Sequence, residues 1–148
     1  MNCTVLLDEF DFFMTDCLFC KIVNKEIPNY TVYEDAHNLA FLDIQPHAKG
    51  HTVVIPKQHG EFIFDFSDQV FGQLGIAMKK AMEKIDAVLK PDGYSVGWNH
   101  GEAGGQVVPH LHVHIMPRWK GDGGGNMHSI INDPGDAAVG DLAILFQH

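Results

Sequence analysis

Apolar and polar positions alternate in short runs over the first third of the chain, and then the period changes. Thr31 to Glu34 and Leu39 to Asp43 predict two strands, with the polar stretch Asp35 to Asn38 as the hairpin turn between them. Gly50 to Ile55 predicts a third strand, ended by Pro56, which lacks the amide hydrogen a continuing ladder uses. From about Asp68 to Lys90, Val70, Leu74, Ala77, Met78, Ala81, Ile85, Val88 and Leu89 recur at three- and four-residue steps, the pattern of one buried helix face. Ser67 or Asp68 can cap its start, and Pro91-Asp92-Gly93 stops it. Tyr94 to Trp98 and His110 to Met116 predict two more strands, and a short helix is expected around Leu18 to Val23. The sum is an α+β fold, a five-stranded, mainly antiparallel sheet with one long and one short helix. Residues 1–16 read as an N-terminal extension, with Met14 a candidate true start. Residues 17–148 read as one domain, with a glycine- and aspartate-rich tail from about 119.

The fifth strand carries the chemistry. In a strand, alternate side chains share a face, so His110, His112 and His114 lie together opposite Leu111, Val113 and Ile115. One reading is simple alternation on a half-buried strand, although structure alone seldom selects three imidazoles. A second is a metal site, since imidazole binds zinc, but no HExxH or HxHxDH pattern brings a carboxylate. A third is nucleophilic attack on phosphorus by a neutral ring nitrogen, which splits one displacement into two. That nitrogen must be bare, so the other one should donate to a fixed acceptor such as a backbone carbonyl. The flanking histidines would then orient phosphate oxygens or move a proton. The preceding loop, Asn99 to Gln106, has glycines that can turn backbone amides toward an anion, and Asn99 and Gln106 add neutral donors.

With these residues in view, the chain resembles the histidine triad (HIT) superfamily of nucleotidyl hydrolases and transferases, of the bacterial type. The likeness spans Cys17 to about Lys120 and rests on GGQVVPHLHVHIMPR (Gly104 to Arg118), CLFCKIVNKEIPNYTVYED and FLDIQPHAKGHTVVIPKQH. It implies a five-stranded antiparallel sheet with two helices, paired into a homodimer through helix and strand. It implies attack at the α-phosphorus of a purine nucleoside phosphate derivative through a covalent nucleotidyl-histidine. By position, His112 matches the nucleophile and His114 the histidine that contacts the phosphoryl group. Asn99, Gly105, Gln106 and Val107 fall in the phosphate loop, and His51 matches a histidine near the leaving group. Phe19, Ile22, Phe41, Asp43 and Ile44 match the nucleoside pocket, with Asp43 accepting from ribose hydroxyls. Val107 stands where the phosphoramidase branch has serine, which removes one donor worth about 1 kcal/mol and tilts the likeness toward relatives that cleave dinucleoside polyphosphates.

Cys17 and Cys20 form a CxxC pair, readable as a redox motif, as two buried thiols, or as half of a zinc site. The resemblance implies that His59 and His110 complete four structural Zn2+ ligands, which takes His110 out of proton transfer. Composition narrows the partners. Acids outnumber bases 19 to 10, for a net charge of −9, against the basic surface that nucleic acid binding requires. No apolar run approaches the roughly 20 residues of a membrane helix. The acidic first residues argue against an export signal, and with Cys3 as the third cysteine no disulfide framework forms, so a cytoplasmic protein is expected. The expected activity is hydrolysis or transfer at the α-phosphate of phosphoramidates, adenylates or dinucleoside polyphosphates. The alternative is a catalytically weak nucleotide-binding or scaffolding module.

Overall fold

A computed structural model describes residues 16–147; the expected extension over 1–16, with Met14 and Cys3, lies outside them apart from Asp16. The elements run α1 (Leu18–Val23), β1 (Thr31–Glu34), β2 (Asn38–Leu42), β3 (Thr52–Pro56), α2 (Asp68–Leu89), β4 (Gly93–Gly97), β5 (Val113–Arg118) and α3 (Val139–Ile144), with short 3-10 turns at Ile63–Asp65, Glu102–Gly104 and Met127–Ser129. The strands form one sheet in the order β1-β2-β3-β5-β4, every neighbouring pair antiparallel. The expected α+β architecture is borne out.

Helix α2 starts where Ser67 accepts from the Val70 amide and ends where Lys90 turns into the left-handed region. Its sheet-facing stripe is Leu74, Ala77, Ala81 and Ile85, packed on Ala40, Val54, Val113 and Ile115. The two alanines let the helix come close to the sheet. Val88 keeps the period but stays 78% exposed, because in the last turn it is Leu89, one residue on, that packs against this core. On the opposite face of the sheet, α1 buries Cys17, Phe19, Cys20 and Ile22 against Leu39, Phe41, Val53 and Ile55. Each layer therefore has its own core, and the chemistry-bearing residues belong to the α1 side.

The fifth strand is shifted from its expected place. Its ladder begins at Val113, paired with Val54, and runs to Arg118. His110 to His112 precede it outside the ladder: the His110 amide donates to the Val108 carbonyl in a bend, and the Leu111 amide donates to the Gly60 carbonyl. Pro56, expected to end β3, is its last residue and pairs with Asn38. Beyond Arg118 the chain is largely exposed, with Ile131, Val139, Leu145 and Phe146 uncovered. No described helix is long and apolar enough to cross a membrane.

Candidate active site

The three histidines of the run meet three different environments. His112 is buried, and its Nδ1 lies 2.7 Å from the His110 carbonyl oxygen. A carbonyl can only accept, so Nδ1 carries the hydrogen and Nε2 keeps its lone pair. Burial pushes the His112 pKa below its ordinary value, so the ring is neutral near pH 7. Phe19 packs edge-on against it at 5.1 Å, holding the ring in place from α1.

His114 and His51 form a directed pair. The His47 backbone amide donates to His51 Nδ1, so the neutral His51 ring carries its hydrogen on Nε2. That hydrogen points to His114 Nδ1 at 2.9 Å, which places the His114 hydrogen on Nε2. A chain of backbone and ring donors thus presents one fixed N–H beside the bare Nε2 of His112. The rings of His112 and His114 lie 5.0 Å apart. Burial, with His112 and His51 adding to it, holds the His114 pKa down at about 4; burial also lowers that of His51. Asp43 lies 3.8 Å from His51 Nε2, too far for a hydrogen bond. Asp43, His51 and His114 sit close enough to share an ion, but the two facing ring nitrogens are already spent on each other.

These pKa shifts carry a stability consequence. An unfolded histidine takes up its proton near pH 6.5, whereas folded His51 and His114 resist until lower pH. The unfolded state therefore binds more protons between pH 6.5 and about 4, and stability falls as pH falls through that window. A His114→Asn variant is expected to show a flatter loss of melting temperature between pH 7 and 4.5 than the wild type; parallel curves would contradict it.

His110 is fully buried and turned the other way. Its Nε2 donates to the Pro56 carbonyl at 2.8 Å, leaving Nδ1 bare and aimed at Cys17, Cys20 and His59. Burial, opposed by that bond and reinforced by His59 and His112, holds its pKa at about 4. The separations from His110 Nδ1 are 3.5 Å to Cys17 Sγ, 3.7 Å to Cys20 Sγ and 3.3 Å to His59 Nδ1; Cys20 Sγ to His59 Nδ1 is 3.3 Å. A tetrahedral ion with ordinary zinc bond lengths has edges of about 3.5 Å between sulfur and nitrogen and about 3.3 Å between nitrogens. The four residues therefore fit one tetrahedral metal ion, and the carbonyl partner of His110 is the usual support for a ligating imidazole.

A cavity of about 700 Å³ opens in front of His112, lined by Phe19, Ile22, Phe41, Asp43, Ile44, Asn99, Gly105, Val107, His51 and His114 among others. The expected nucleoside and phosphate positions thus come together around one space. Gly105, at φ 86°, and Gly101, at φ 69°, occupy backbone conformations that favour glycine, and they bend the loop beside Asn99. Gln106 departs from its expected role. Its Nε2 donates to the Glu61 and Val108 carbonyls and its Oε1 accepts from the Gly101 amide, so it braces the loop instead of lining the cavity. His47, Val53 and Val108 also line the space and were not singled out from sequence; the HxxxH spacing of His47 and His51 was the available signal for the first.

Residues 24–121 match the family model described as HIT domain. The chain belongs to the histidine triad family. An uncharacterized HIT-like protein of Methanocaldococcus jannaschii is 49% identical over 72% of this chain and 82% of its own length. The Saccharomyces cerevisiae adenosine 5'-monophosphoramidase is 41% identical over 69% of this chain and 62% of its own. Among solved structures, a HIT family member from Bacillus subtilis superposes with a TM-score of 0.77 at 43% identity, covering 88% of this chain and 92% of that one. In this histidine triad protein the match ends just after β5, so the tail beyond residue 121 lies outside the family model.

Proposed function

We propose that this histidine triad protein is a nucleotidyl hydrolase or transferase acting on the α-phosphate of purine nucleoside phosphoramidates, adenylates or dinucleoside polyphosphates. The observation that carries the reading is the tautomer of His112: proton on Nδ1, lone pair on a neutral Nε2, beside the Nε2–H of His114. Nε2 of His112 forms a bond to phosphorus while the bond to the leaving oxygen or nitrogen breaks and its electron pair departs with the leaving group. A phosphate leaves as the anion; an amine takes a proton from solvent. Water then attacks the nucleotidyl-histidine and returns Nε2 as the leaving nitrogen. His114 Nε2–H holds a phosphoryl oxygen as charge builds there. His51, with its hydrogen spent on His114, positions that residue. Phe19, Ile22 and Phe41 hold the base, Asp43 accepts from ribose hydroxyls, and Asn99 with the Gly105–Val107 backbone meets the phosphate. The named activity of the yeast relative supports the substrate class.

The ion held by Cys17, Cys20, His59 and His110 is in this reading Zn2+, the metal that two thiolates and two imidazoles favour. Its part is structural: it ties α1, which carries Phe19 and Ile22, to the residue two before the nucleophile. We further assign a homodimer formed through the β4 edge, unpaired among the described residues, and the outer face of α2, where Ile76 and Val88 are exposed and Gly72 and Gly75 leave open space. Light scattering is expected to give twice the chain mass, and Ile76→Glu to give monomer.

The test of the activity is release of AMP from adenosine 5'-phosphoramidate under steady-state conditions. Turnover with saturation supports an enzyme. Tight binding of AMP without turnover would replace it by the binding-module alternative.

A further inference from the structure

The loop assigned to the phosphate is closed on itself and jointed at its ends. The Gly101 carbonyl accepts from the Gly104 and Gln106 amides, the Glu102 carbonyl accepts from the Gly105 amide, and the Gly101 amide donates to Gln106 Oε1. Residues 101–106 therefore move as one unit, and their aim at phosphorus is set by whatever holds the joints on either side. We propose that His100 and Phe62 fasten the first of these joints and are positioning residues for the reaction, acting through the phosphate loop. Neither lines the cavity in front of His112. The proposal rests on His112 as nucleophile and on that loop as the phosphate site.

The fastening is a ring stack. The His100 imidazole lies nearly parallel to the Phe62 ring, with centroids 4.8 Å apart and planes 25° apart, and Phe64 meets it edge-on at 5.5 Å. Contact on both a face and an edge fixes the direction of the ring. Asn99, which lines the cavity, is the preceding residue, so holding His100 holds the backbone that presents it. The far end of the loop is fastened to the same segment, where Gln106 Nε2 donates to the Glu61 carbonyl at 3.0 Å.

That segment is itself tied down at both ends. His59 belongs to the cluster with Cys17, Cys20 and His110. The Gly60 carbonyl accepts from the Leu111 amide at 2.7 Å, one residue before the nucleophile. Asp65 accepts from the Glu61 and Phe62 amides at 2.9 and 2.8 Å, which sets the backbone under the Phe62 ring. Phe66 packs on the α2-side core, and it lies so close to Gly60 that a Cβ there would run into its ring. One rigid stretch thus grips both the chain entering His112 and the loop facing it, and it fixes the spacing between attacking nitrogen and phosphate donors. Those donors meet charge that builds only as the new bond forms, so a loop misaimed for part of the time lowers kcat. Base and ribose are held by Phe19, Phe41 and Asp43 in the proposed site, so KM is spared.

The experiment measures kcat and KM for adenosine 5'-phosphoramidate in wild type, His100→Ala, Phe62→Ala, the double variant and His100→Tyr, together with bound metal and melting temperature. Each alanine variant is expected to lower kcat about fivefold, the size of one lost aromatic pair, with KM within about twofold. The double variant should lie within about twofold of the lower single variant, whereas independent residues would give about 25-fold. His100→Tyr, which restores a flat ring, should recover most of the loss. His100 is exposed, so His100→Ala should melt within about 4 °C of wild type even where Phe62→Ala does not. Unchanged kcat in His100→Ala, additive losses in the double variant, or His100→Tyr no better than His100→Ala would overturn the stack as the fastening. A rise in KM without a fall in kcat, or a fall in kcat that tracks loss of bound metal, would overturn its action through the phosphate loop. Wild-type inactivity is a failure of the nucleophile reading itself, visible before any variant is made.

Discussion

Replacing His112 by alanine is expected to lower turnover of adenosine 5'-phosphoramidate by about a thousandfold or more, with circular dichroism and melting temperature little changed. The size follows from losing the attacking atom itself, for which losses of this order or greater are typical. No neighbour can take its place. The Nε2 of His114 carries a hydrogen because His51 donates to its Nδ1, and the bare Nδ1 of His110 faces the cysteines, away from the cavity. A variant retaining more than a tenth of wild-type kcat would mean that another group, or water directly, attacks phosphorus. His114→Asn should cost less, of the order of a hundredfold, because it removes one donor to a charge that the loop amides also meet.

The second large effect is on the metal cluster. Cys20→Ser is expected to reduce bound zinc from about one per chain to a small fraction, read by elemental analysis of protein purified without chelator. The melting temperature should fall by about 10 °C. Structural zinc contributes on the order of 10 kcal/mol in small domains; losing a third of that here, at roughly 2–4 °C per kcal/mol for a domain of this size, gives the stated shift. Without an ion Cys20 is held as the neutral thiol, since burial and the neighbouring Cys17 push it up to about 12, and zinc binding displaces that proton. The loss should reach the nucleoside site as well. Phe19 lies between the two cysteines in sequence and touches both Phe41 and His112, so KM should rise more than kcat falls. Unchanged metal content in Cys20→Ser would remove the four-ligand assignment.

Much of this arrangement was legible from periodicity, and its limits are physical. The long helix and the hairpin of β1 and β2 follow from local pattern and turn chemistry, because Asp35 accepts from the His37 and Asn38 amides. The start of β5 was not legible. Strand alternation continues through His110 and Leu111, but pairing begins only at Val113, and the Leu111 amide goes to Gly60, a long-range contact that no local pattern records. Face-sharing likewise identified the histidines as a group while leaving their separate duties hidden, since these depend on which carbonyl or amide each ring meets. Gln106 shows the same limit: residue type suggested a phosphate donor, and three backbone partners claim its amide. The anchoring of the segment after β5 had no signal at all, for it depends on Arg118 reaching Asp122, Ser95 and Gly125 across a glycine-rich segment without periodicity.

The account turns on a covalent nucleotidyl-histidine at His112, and the stereochemical course at phosphorus tests it most directly. An adenosine 5'-phosphorothioate substrate of known configuration, hydrolysed in isotopically labelled water, reports whether one displacement occurs or two. Two in-line displacements, through His112 and then water, predict net retention of configuration; net inversion would show that water attacks phosphorus directly and would contradict the account.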